Sequence, residues 1–84
     1  PNLPANVRDL LILAEKNEQQ ARDLRKKAAK NRQFSEATYL SSEQRLHLFV
    51  SSKKQIKKAM ELDQIAQDAR AKASVAGAPA PAVQ

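Results

Sequence analysis

Val50-Ser51-Ser52-Lys53-Lys54-Gln55 is the stretch on which the fold turns. Helical sequence lies on both sides of it, so the reading depends on whether the two serines end a helix. Ser52 with Gln55 three residues on fits a capping box, in which each side chain takes the other residue's backbone N–H. On that reading a second helix closes at Val50 and a third opens at Lys53. Two serines do not by themselves stop a helix. The alternative is therefore one long rod, helices two and three fused, in a helical hairpin or coiled coil.

Downstream, helix three is predicted from Lys53 to Ala73. Ile56, Ala59, Met60, Leu62, Ile65, Ala66, Ala69 and Ala73 form its apolar arc. Asp68 and Lys72 make a supporting pair four residues apart. Upstream, helix two is predicted from Phe34 to Val50 with two stripes. Phe34, Ala37 and Leu48 lie on one side with Ser41; Tyr39, Leu46 and Val50 lie nearly opposite. A helix apolar on two sides is packed on two sides, as the middle helix of a bundle would be.

Asn31-Arg32-Gln33 reads as the turn before it, since Asn tolerates the left-handed conformation of a helix end. Helix one is predicted from Val7 to Lys30, capped by Asn6 with Asp9, or starting nearer Asn2 with Pro4 in its first turn. Val7, Leu10, Leu11, Ala14, Ala21, Leu24 and Ala28 share one face, interrupted at Asn17 and Glu18. Leu13 lies at its edge and Ile12 points away. The fold class is all-α, an antiparallel up-down-up three-helix bundle over residues 6–75. A short leading segment occupies 1–5, and an Ala/Pro-rich flexible linker occupies 76–84.

Composition agrees. One glycine and 4% aromatics disfavour sheets, and 84 residues hold one domain with a thin core. With no cysteine there are no disulfides, thiolate nucleophiles or thiolate metal sites. That is compatible with a reducing compartment, and a cytoplasmic location is expected. The longest apolar run is Leu10 to Ala14, far short of the ~20 residues that span a bilayer. The start at Pro1 and the Ala/Pro tail read as a piece of a longer protein.

Chemistry is sparse. His47 is the single histidine and has no second ligand or acid at useful spacing, so it reads as a rim residue. Ser41-Ser42 and Ser51-Ser52 read as caps or solvated positions, and no glycine-rich loop exists to hold a phosphate. No catalytic residue, metal site or cofactor is expected, and the chain is not read as an enzyme.

Charge is more informative. The net charge is +6, and ten of the fifteen basic residues lie in two clusters. Arg22, Arg25, Lys26, Lys27, Lys30 and Arg32 form the first, and Lys53, Lys54, Lys57 and Lys58 the second. They read either as solvated faces, with Lys26, Lys27 and Lys30 complementing the helix dipole, or as an electropositive rim for an acidic ligand. In a three-helix bundle the two clusters lie near opposite ends. Nucleic acid is the weaker partner class, because neither cluster contains a stacking aromatic.

Lys27 to Leu40 resembles the first hairpin of microtubule-interacting-and-trafficking (MIT) domains. Alanines stand near the end of helix one, then a short turn, then Phe34, Glu36-Ala37 and Tyr39-Leu40 in the family's places. The turn lacks the family's glycine and acidic residue. The resemblance implies a three-helix layout, a role in protein transport and the docking of short helical tails in grooves between helices, first of all in the groove between helices two and three.

The expected function is a non-catalytic adaptor that docks an acidic amphipathic helical segment of a partner protein. Tyr39, Leu46 and Val50 would supply the apolar contact, with Lys53, Lys54 and Lys57 on its rim. The alternatives are coiled-coil oligomerisation and basic binding to nucleic acid or an anionic membrane.

Overall fold

The computed structural model describes residues 5–76. They form two helices, α1 (Ala5–Ser35) and α2 (Ser42–Val75), packed antiparallel along their length. The described part is a rod of 57 × 18 × 16 Å with a radius of gyration of 17.6 Å. A compact chain of this size would measure ~11 Å, so this is a hairpin and not a bundle folded on itself.

The seam follows a seven-residue repeat. In α1 the buried Val7, Ala14, Ala21, Ala28 and Ser35 recur every seventh residue. In α2 Ser52, Ala59, Ala66 and Ala73 do the same. Leu10, Asn17, Leu24 and Asn31 fill the intermediate places in α1, and Leu48, Gln55, Leu62 and Ala69 fill them in α2. Such a repeat keeps one stripe facing the partner helix over many turns. Ala14 packs with Ala66, Ala69 and Leu10, and Ala21 with Ala59, Leu62 and Leu24. Seven of the nine buried apolar residues are alanine, so little side-chain bulk holds the backbones apart.

Polar groups in the seam are paired. Asn31 donates across it to Gln55 Oε1 at 3.0 Å, and Asn17 donates to its own helix at Leu13 O, 2.8 Å. No buried side-chain N or O lacks a partner among the described residues. A single polar pairing of this kind in a seam sets register, since sliding the helices would strand it.

The three-helix expectation fails at Ser51-Ser52, where α2 runs straight through. Ser52 sits on the seam, 4% exposed, and its hydroxyl donates to Phe49 O at 2.7 Å. Buried against α1 and bonded within its own helix, it does not cap. The box forms instead at Ser41, which is extended (φ −68°, ψ 161°). Gln44 N donates to Ser41 Oγ at 3.2 Å, and Ser41 N to Gln44 Oε1 at 2.9 Å.

The first turn also lies later than expected, after Ser35 rather than at Asn31-Arg32-Gln33. Asn31 is held helical by its bond to Gln55. The end of α1 is closed by Glu36 N→Gln33 O (3.2 Å), Ala37 N→Phe34 O (3.0 Å) and Arg45 Nε→Ser35 O (3.1 Å), which satisfy terminal carbonyls without a glycine. Asn6 lies within α1 and does not cap it. A start near Asn2 and Pro4 lies outside the described residues, as does the tail beyond Ala76. Asp68 accepts from Gln64 at 3.0 Å rather than pairing with Lys72.

Candidate docking surface

Antiparallel packing brings the two basic clusters level, because both lie in the half of the rod next to the turn. This corrects the expectation that they sit near opposite ends. Residues 22–63 hold eleven of the fifteen basic and five of the nine acidic residues, a net of +6, leaving 0 for the rest. The net positive charge of the chain thus lies in one half of the hairpin.

One flank of that half is a furrow between the helices with a volume of ≈ 540 Å³. Arg25, Ala28, Ala29 and Arg32 of α1 form one wall; Ser52, Lys53, Ile56, Lys57 and Met60 of α2 form the other. Towards the turn a second hollow shares Arg32 and adds Phe49 and Leu46. Towards the open end a third is lined by Glu18, Arg22 and Arg70.

The α2 wall has its own repeat. Leu46, Phe49, Lys53, Ile56 and Met60 follow at spacings of three, four, three and four. This is the pattern of a helix-packing seam, yet Leu46 is 62%, Ile56 40% and Met60 63% exposed. Phe49 is half-buried, with the Arg32 guanidinium 4.8 Å and the Lys53 ammonium 5.0 Å from its ring centre. Cations over a ring face are attracted by its quadrupole.

Two ion pairs cross this flank among the described residues. Arg25 pairs with Asp63. Arg70 binds Glu18 with both forks, Nε to Oε2 at 2.9 Å and Nη2 to Oε1 at 2.7 Å. The hydrogen bond from Arg70 holds the Glu18 carboxyl below its ordinary range, and Glu18 raises the Arg70 guanidinium in turn. Arg32, Lys53 and Lys57 make no ion pair among the described residues, so their charge faces the furrow uncompensated.

The expected site residues divide. Arg25, Arg32, Lys53 and Lys57 line the furrow, Leu46 its extension towards the turn, and Arg22 the hollow near the open end. Tyr39 leaves the predicted stripe, since it sits in the turn, 77% exposed. Val50 lies on α2 outside the furrow, 41% exposed. Lys26, Lys27, Lys30 and Lys54 are exposed away from it. The crevice expected between helices two and three does not exist, because they are one helix.

Phe49, Ile56 and Met60 were not anticipated as contact residues. Their spacing with Leu46 is readable only on an unbroken helix, and the presumed stop at Ser51-Ser52 cut it in two. His47 is exposed near the turn, and no three His, Cys, Asp or Glu side chains converge to hold a metal among the described residues. No described helix is long and apolar enough to cross a membrane.

Lys27 to Leu40, the segment that resembles MIT hairpins, spans the last turns of α1 and the loop. Family models, curated proteins and solved structures give no match to the chain.

Proposed function

We propose that the hairpin is a non-catalytic docking module that accepts an acidic amphipathic helix of a partner protein along the furrow. The observation that carries this reading is the seam of exposed Leu46, Ile56 and Met60 with half-buried Phe49, framed by Arg32, Lys53 and Lys57. A helix-packing seam left open in water gains by burial against a third helix. Leu46 to Met60 covers fifteen residues, a rise of ~21 Å of helix, about four turns of guest. Both walls carry cations, so the guest needs acids on both sides of its apolar stripe. The partner then supplies in trans the third helix of a bundle.

Selection from a library of displayed helical peptides tests the reading. Enriched peptides should carry apolar residues at three-four spacing with Glu or Asp on both flanks. Against such a peptide, Ile56→Asp or Leu46→Asp should weaken binding about tenfold or more. Lys53→Ala should cost less and act mainly on the association rate. Circular dichroism must show both Asp variants folded. Equal large losses from every basic-to-Ala change, with none from Leu46→Asp or Ile56→Asp, would refute the docking mode.

A further inference from the structure

We propose that the flank opposite the furrow, in the half next to the turn, docks on an anionic lipid bilayer. The seven-residue repeat places Lys27 of α1 and Lys58 of α2 beside the seam on that flank, with Lys30 and Lys54 next outward. All four are exposed, and none makes an ion pair among the described residues. The nearest carboxylates on this flank, Asp23 and Glu61, lie about a turn nearer the open end. Asp23 is engaged by Gln19 at 3.0 Å. Glu36 and Glu43 flank the turn, but this half of the rod keeps its net +6 with them and Asp63 counted. The surface is separate from the furrow and does not depend on the helix-docking reading.

Two features favour lipid over nucleic acid. The patch is purely lysine, a compact point charge suited to a diffuse negative surface rather than to forked recognition of single phosphates. The exposed rings stand beyond the lysines rather than between them, Phe34 one helical turn past Lys30 at the end of α1 and Tyr39 in the turn. Phe34 is 51% and Tyr39 77% exposed at the turn, where amphipathic and aromatic side chains can enter the headgroup layer. A single-stranded nucleic acid asks for rings interleaved with cations along a track. No described helix is long and apolar enough to cross a bilayer, and the contact proposed is with its surface.

Co-sedimentation of the whole chain with phosphatidylcholine vesicles, with and without phosphatidylserine, tests this. The protein should pellet only with the phosphatidylserine vesicles and be released by salt. Each lysine removed should weaken binding about fivefold at low ionic strength, so Lys27→Ala with Lys58→Ala should cost about 25-fold. Tyr39→Ser should weaken it further. Ile56→Asn, in the furrow and without a change of charge, should leave it unchanged, which separates this surface from the docking site. Equal pelleting with both vesicles, or indifference to the lysine pair, overturns the proposal. So does tighter binding to an oligonucleotide that ignores Tyr39→Ser, which would assign the flank to nucleic acid.

Discussion

Alanine at the seam does what a larger side chain cannot. Ala21 and Ala59 are fully buried against each other's helix, and the methyl group sets how near the backbones come. Ala21→Leu should therefore destabilise the hairpin by ~1–3 kcal/mol through overpacking, although it adds apolar surface. Urea unfolding checks the sign, and a more stable variant would mean the seam has slack. Glu18 makes a second prediction. Its carboxyl pKa is lowered in the fold, so its contribution is fully present above the ordinary carboxylate range and is lost as pH falls through the depressed value. Thermal melts of Glu18→Gln should then fall less on acidification than those of the unaltered chain. Parallel curves would show that the forked pair adds nothing.

At the scale of the helix, one local pattern has two fates. Ser41-Ser42-Glu43-Gln44 and Ser52-Lys53-Lys54-Gln55 both spell a capping box, and only the first becomes one. Ser52 lies on the repeat shared with Ala59, Ala66 and Ala73, so burial against α1 holds it in the helix. Ser41 lies in the exposed turn, free to take the extended conformation a cap requires. Ser41→Ala should cost ~1 kcal/mol, within the usual range for a lost cap. Ser52→Ala should be near neutral, because its hydroxyl only back-bonds its own helix and alanine fits the seam. Chemical denaturation of the two variants should separate them, and equal losses would contradict this division of roles.

For the whole molecule, the consequence is a long rod with little held inside it. Val7 and Leu62 are the only buried apolar side chains larger than alanine among the described residues. A hairpin with so thin a core has limited stability of its own. A helix bound along the furrow should therefore raise the melting midpoint progressively with peptide concentration, as linkage requires. A saturating peptide that leaves the midpoint unmoved would show that binding does not favour the folded hairpin.

The helical class, the alanine face of the core and the two basic clusters were legible in the chain itself. Asn17, Ser35 and Ser52 also reach the seam and were not read as core, while Phe34, Tyr39, Ile56, Met60 and Ile65, read as stripe residues, are exposed. Ala14, Ala21, Ala28, Ala59, Ala66, Ala69 and Ala73 stand at helical spacing whatever their partner, and charge is additive along a sequence. The number of helices was not legible, because Ser51-Ser52 is locally compatible with a cap and with a continuous helix. Only packing against α1 tips that balance, and it does so through a repeat running unbroken from Arg45 to Ala73. The place of the furrow followed from the same decision. Once α2 is continuous, Leu46, Phe49, Ile56 and Met60 fall into one line, and antiparallel pairing sets Arg25 and Arg32 opposite them. That juxtaposition depends on contacts between residues far apart in the chain, which no local preference encodes.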